Sequence, residues 1–104
     1  MTITVLTPDR QIFNGNITSV KVPGTLGEFQ VLKGHAPIVS SLEAGKVSLV
    51  TADGEHRVFD EASGTLHTAA DAGKKITFQI GGGFIEVLND EVSLLVRGVK
   101  EVVK

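Results

Sequence analysis

Hydrophobic and polar positions alternate with a period of two along most of the chain. Ile3 and Val5 alternate with Thr2 and Thr4, Val20 and Val22 flank Lys21, and Phe29 and Val31 flank Gln30. Val47 and Leu49 flank Ser48, Ile76, Phe78 and Ile80 alternate with Thr77 and Gln79, and Val92, Leu94 and Val96 continue the theme. Such spacing puts one face of each strand on a core and leaves the other more polar. Between the runs stand residues with turn chemistry: Thr-Pro-Asp at 7–9, Asn-Gly at 14–15, Pro-Gly at 23–24, Asp-Gly at 53–54 and Asn-Asp at 89–90. The last two lie between alternating apolar runs and read as hairpin turns. Residues 59–72 carry alanines but also Gly64 and few large apolar side chains, so they read as a loop or an extra hairpin rather than a helix. The pattern predicts an all-β fold of about ten short strands with no substantial helix, as a sandwich or barrel.

Composition narrows the class. At 104 residues a single domain is expected, and 41% hydrophobic residues support one modest core. Cysteine is absent, which removes disulfide and thiol chemistry. A net charge of −2 argues against binding nucleic acid, which needs clustered Lys and Arg to neutralise phosphates. The start MTITVLTPDRQ lacks the basic region of a secretory signal. No apolar run approaches the roughly 20 residues that span a bilayer, so no direct membrane insertion is expected.

Candidate chemistry is sparse. His35, His56 and His67 have no partner at a metal-site spacing such as HExxH. His56 has charged neighbours and reads as part of a solvated sheet face, and His67 as exposed. Gly81, Gly82 and Gly83 precede a strand rather than a helix and lack the Lys of a phosphate loop, so they read as a bulge or a close backbone approach. Ser40, Ser41 and Ser63 have no nucleophile context, and Glu43, Asp60 and Glu61 are scattered acids. The five Phe lie mostly in strand patterns that suggest core. No catalytic, cofactor or metal site is expected. What stands out is GEFQVLKGHAP at 27–37, a strand, a Gly turn, a His and a Pro with Glu28 at its start: a stiff surface device for touching another protein.

Three stretches resemble the N-terminal domain of the epsilon subunit of F-type ATP synthases. ITVLTPDRQIFNGNITSVKVPG at 3–24 is similar to the family's opening strands, with its "TPxxxxFxG" core at Thr7, Pro8, Phe13 and Gly15. GEFQVLKGHAPIVSSLEAGKV at 27–47 is close to "GExGILPGHAPLLTxLxPG", and FQIGGGFIEVLNDEVSLLV at 78–96 to "FxVSGGFxEVxxxxVTVLA". The resemblance implies a small sandwich of two antiparallel sheets over residues 1–97, with a short tail at 98–104. It implies a non-catalytic subunit at the foot of the central stalk, monomeric when isolated. Its partners would be the gamma subunit, the ring of c subunits and the catalytic head, and it would help couple proton or sodium flow to ATP synthesis. The place implied is the cytoplasmic face of a bacterial inner membrane, where the complex holds the subunit peripherally.

Carried over residue by residue, Glu28 matches the acidic position facing the polar loops of the c subunits, which offer Arg, Gln or Asn. His35 matches the loop histidine near gamma and the ring, Pro37, Ile38 and Val39 a rigid apolar contact edge, and Thr7 a position facing gamma. Lys33 replaces the family's Pro before Gly34 and His35, which predicts a less stiff loop with an added charge. Residues 60–75 look like an insertion. Most members continue into two C-terminal helices that inhibit ATP hydrolysis and in some bind ATP. Only residues 98–104 follow Arg97 here, so neither property is expected, whether the short end is natural or a truncation. The alternatives are a generic sandwich that binds a ligand such as carbohydrate, which has no Trp or Tyr here to serve as a platform, and a small hydrolase or lyase, for which no polar cluster is visible.

Overall fold

A computed structural model describes residues 1–60 and 63–103. Ten strands follow in order: β1 (Thr2–Leu6), β2 (Gln11–Gly24), β3 (Gly27–Leu32), β4 (Ile38–Leu42), β5 (Gly45–Asp60), β6 (Thr65–Ala69), β7 (Lys75–Ile80), β8 (Gly82–Leu88), β9 (Glu91–Arg97) and β10 (Lys100–Val103). The all-β expectation holds. One hydrogen-bonded path runs β1-β9-β8-β4-β2-β5-β7-β10, with β3 on β2 and β6 on β5. The added β1–β2 pairing closes a ring of β1, β9, β8, β4 and β2. The two layers of the sandwich are therefore continuous through long strands, and one pair, β1 with β9, is parallel. The shortest dimension, 19 Å, suits two layers with their outer side chains.

Between the layers lie Ile3, Val5, Phe13, Ile17, Val20, Val22, Leu49, Ile76, Phe78, Ile85 and Leu94, among others, all essentially without solvent contact. Each contributes roughly 1.5–3 kcal/mol of burial. In β8 the alternation turns Ile85 and Val87 inward and Phe84, Glu86 and Leu88 outward. Phe84 is thus exposed, while Phe13, Phe59 and Phe78 are buried, in line with the expectation that most Phe lie in the core.

Two expected breaks lie inside strands. Asn14-Gly15 falls within β2, and Asp53-Gly54 falls within β5 rather than in a hairpin turn. At the latter, residues 52–55 of β5 face only Asn16 of β2, because Gly15 pairs with His56 and Ile17 with Thr51. This is a bulge, and the Asn16 side-chain amide donates to the Asp53 carbonyl at 3.1 Å across it. The true turns include Thr7–Arg10, closed by the Thr7 amide on the Arg10 carbonyl at 2.8 Å. Another is Asn89-Asp90, where both residues have positive φ (51° and 60°), as a two-residue hairpin of primed type requires. Pro23-Gly24 ends β2, and the turn itself is Thr25-Leu26, with Gly24 paired to Gly27.

The segment at 60–75 contains an extra hairpin, with Asp60 paired to Thr65 and His56 to Ala69. Glu61 and Ala62 within it, and Lys104 at the end, lie outside the described residues. The return to β7 is anchored at Thr51, a buried hydroxyl that donates to the Asp71 carbonyl and accepts from the Lys74 amide. Within the 98–104 tail, β10 is a strand paired antiparallel with β7. At the Gly81–Gly83 run, a Cβ on Gly83 would collide with the Leu95 carbonyl oxygen, which bears out a close backbone approach.

The bulge also corrects the reading of His56. Inward positions in β5 are odd up to Thr51 and even from His56 to Val58. His56 is therefore not on a solvated face: it is 2% exposed, stacked on Phe13 with ring centroids 5.4 Å apart, and its Nδ1 has no hydrogen-bond partner among the described residues. Burial holds its pKa below the ordinary 6.5, with nearby Asp71 raising it and Lys74 lowering it further. A histidine of lowered pKa binds fewer protons folded than unfolded between the two values, so stability rises with pH there. Stability is expected to be full above pH 6.5 and to fall below it, at no more than about 1.4 kcal/mol per pH unit for this one proton. Thermal unfolding of wild type and His56→Leu between pH 7.5 and 5 checks this; an equal acid slope in both would exclude His56 as its source.

Candidate partner interface

The 27–37 segment is built as a braced corner. The β2–β3 hairpin tip is tied to β4 by the Thr25 amide on the Ser41 carbonyl at 3.2 Å and by the two hydroxyls at 3.0 Å. The Glu43 amide donates to the Pro23 carbonyl at 2.9 Å below it. After β3, residues 32–35 make a turn closed by the His35 amide on the Leu32 carbonyl at 3.1 Å. Gly34 sits at its third position with φ +82°, as a type II turn demands. That turn favours Pro at its second position, and this is where Lys33 stands. A longer tether holds the loop as well: the Gly34 amide donates to a carboxylate oxygen of Asp90 at 2.7 Å, from the β8–β9 turn.

Glu28, His35, Ile38 and Val39 line one open groove of about 490 Å³ with Leu26 and Phe29. Glu28 is exposed and has no hydrogen bond or ion pair among the described residues. His35 is half-buried, and its Nδ1 lies 2.6 Å from the Ala36 carbonyl oxygen. A carbonyl only accepts, so Nδ1 carries the proton and the neutral ring keeps Nε2 as an acceptor. The groove therefore offers acceptors set among apolar side chains: Leu26 at the hairpin tip is fully exposed, and Val39 is 72% exposed. Pro37 and Val39 also border a smaller groove with Glu86 and Leu88.

Not every expected residue joins this corner. Lys33 is exposed and lines neither groove. Thr7 lies in the β1–β2 turn, and its hydroxyl accepts from the Arg10 amide at 3.1 Å and approaches the Arg10 carbonyl at 3.1 Å, so it closes its own turn. Beside it is a second apolar surface: Leu6, Leu95 and Phe84 stand opposite one another on β1, β9 and β8, and all three are exposed. Sequence reasoning missed this row, although the alternation in β8 sets Phe84 on the face of Glu86. It also missed Leu26 and Asp90. A large apolar residue in a two-residue turn signals the first; a contact 56 residues apart in the chain leaves no local signal for the second. Among the described residues no group of three or more His, Asp or Glu is arranged to hold a metal.

Residues 1–66 match the family described as ATP synthase, delta/epsilon chain, β-sandwich domain. The chain belongs to this family. The ATP synthase epsilon chain of Chlorobaculum tepidum is 41% identical over 98 residues, covering 94% of this chain and 90% of that one. That of Chlorobium limicola is 36% identical over 95 residues, covering 91% and 86%. Among solved structures, a chain of the Euglena gracilis mitochondrial ATP synthase has a TM-score of 0.67 and 22% identity, covers 94% of this chain and 51% of that one, and is similar in fold.

The Asp90 tether generates a local test. Asp90→Gly keeps the positive φ while removing the carboxylate. Amide exchange at Gly34 is expected to speed up several-fold, with about 1 kcal/mol or less lost globally, since the bond is solvent-exposed. Hydrogen exchange that is unchanged at Gly34 would mean that the loop does not depend on this bond.

Proposed function

We propose that this chain is a rotor subunit of an F-type ATP synthase, a non-catalytic part of the central stalk. It links gamma to the c-subunit ring and helps couple ion translocation to ATP synthesis in the catalytic head. Family membership supports the assignment, and the Euglena assembly whose chain it resembles in fold contains F1 and a c-ring. In this reading residues 1–97 carry the role. The subunit is held peripherally at the cytoplasmic face of a bacterial inner membrane.

The observation that carries the reading is the corner groove. Glu28, and in the neutral ring the Nε2 of His35, are acceptors with no partner among the described residues, beside the exposed Leu26 and Val39. The surface fits a partner loop that brings donors, as the Arg, Gln or Asn of c-subunit loops would. Charge-assisted hydrogen bonds then fix register while the apolar side chains supply contact area. Pro37, Ile38 and Val39 form the firm edge of this contact, Lys33 its charged flank, and Thr7 marks the gamma-facing end at the other surface.

Glu28→Ala combined with His35→Ala is expected to lower ion-driven ATP synthesis and retention of the subunit on the rotor. The isolated domain should lose no more than about 0.5 kcal/mol of stability, because both side chains are at least partly exposed. Synthesis by reconstituted vesicles, read beside the unfolding midpoint, tests this; wild-type synthesis and assembly in the double variant would sink the contact assignment.

A further inference from the structure

We infer that Arg10 and Arg97 read carboxylates on the gamma subunit where it covers the exposed row Leu6, Leu95 and Phe84, an inference that rests on the rotor function proposed above. A groove of about 490 Å³ lies between the β1–β2 turn, the β5–β6 hairpin and the β9–β10 turn, and both arginines line it. Each guanidinium has a prepared seat. That of Arg10 lies over the Phe59 ring, 4.7 Å from its centroid, a cation–π contact. That of Arg97 lies against Gly82, where a Cβ would come within 2.7 Å of its Nη2. A planar, seated fork loses less freedom when it binds a carboxylate than a mobile side chain does. No carboxylate pairs with either arginine among the described residues, and Asp9 on the same groove leaves the three charges at a net of +1.

The partner's chemistry follows from the neighbouring surface. Arg97 also lines the adjoining groove of about 410 Å³ that contains Leu6, Phe84 and Leu95. A partner that covers this row removes water from Arg97 too. A charge buried without a counter-charge is strongly disfavoured, so the covering segment must bring Asp or Glu with its apolar side chains. A free anion would leave the row uncovered, and the chain's net charge of −2 disfavours a nucleic acid.

The test measures binding of the isolated gamma subunit of the same organism to wild type, to Arg10→Glu/Arg97→Glu, and to Arg10→Lys/Arg97→Lys. The Glu pair is expected to weaken binding at least tenfold at low salt and to flatten its salt dependence. The Lys pair should fall between, since it keeps the charge without the fork. Unfolding midpoints near wild type confirm that the variants are folded. Equal affinity and equal salt slope in all three proteins would overturn the arginine assignment while leaving the rotor function standing. Failure of wild type to bind gamma would remove both. Micromolar binding of ATP or inorganic phosphate to the free chain, lost in the Glu pair, would overturn the protein-partner assignment in favour of a small-anion site.

Discussion

The architecture depends on two strands that serve both layers. β2 and β5 run 14 and 16 residues, far beyond an ordinary strand of five or six, and pair with each other along most of their length. A strand this long keeps one face inward only if it is flat, and a flat strand cannot wrap a core. The bulge at residues 52–55, opposite Asn16, resolves the conflict: it bends the pair and switches the inward positions from odd to even. Everything downstream uses that switch. His56 enters the core against Phe13 because of it, while Thr51, just ahead of the bulge, faces the interior where its hydroxyl anchors the return to β7.

This also explains what the sequence disclosed and what it concealed. Alternation around Val20, Val47, Ile76 and Val92 identifies strands because period two is a local property. Asn-Gly and Asp-Gly are ambiguous locally: the same positive φ that closes a hairpin also builds a bulge, and only the pairing partner tells them apart. Asn89-Asp90 sits between strands that pair with each other, whereas Gly54 lies between two halves of one strand. The charged neighbours of His56 point to a solvated face, but the bulge changes the parity of β5 and turns the ring inward. The 27–37 corner was legible through its resemblance to a family. Its bracing by Asp90 was not, because that bond joins segments far apart in the chain.

The position of Lys33 shows how a loop keeps its shape after losing its stiffest residue. Pro at the second position of a type II turn presets φ and limits the unfolded chain, an effect of about 0.4–1 kcal/mol. Here the turn relies on Gly34 for its positive φ and on two bonds, from the His35 amide and from the Gly34 amide to Asp90. The second of these is charge-assisted and ties the loop to another hairpin. The stiffness a proline would supply locally is thereby transferred to a contact between two turns, which fixes the loop relative to the body of the domain.

For the rotor function proposed above, the domain must resist deformation between its contacts rather than bind strongly at either. The corner around Glu28 and His35 is braced by β4 and by the β8–β9 turn, and the row of Leu6, Leu95 and Phe84 lies on β1, β9 and β8. β8 belongs to both surfaces: Phe84 stands at one and Leu88 beside the other, four residues apart, roughly 13 Å along a strand. Force applied at one surface therefore reaches the other through strands hydrogen-bonded side by side and a close-packed interior of Val, Ile, Leu and Phe, which compresses little. The unpaired polar groups, Glu28 with the Nε2 of His35 at one surface and the two arginines at the other, are complementary in kind. In the proposed rotor, acceptors at one surface and donors at the other would leave neither surface suited to the other's partner, so that charge sets the orientation of the domain between the two.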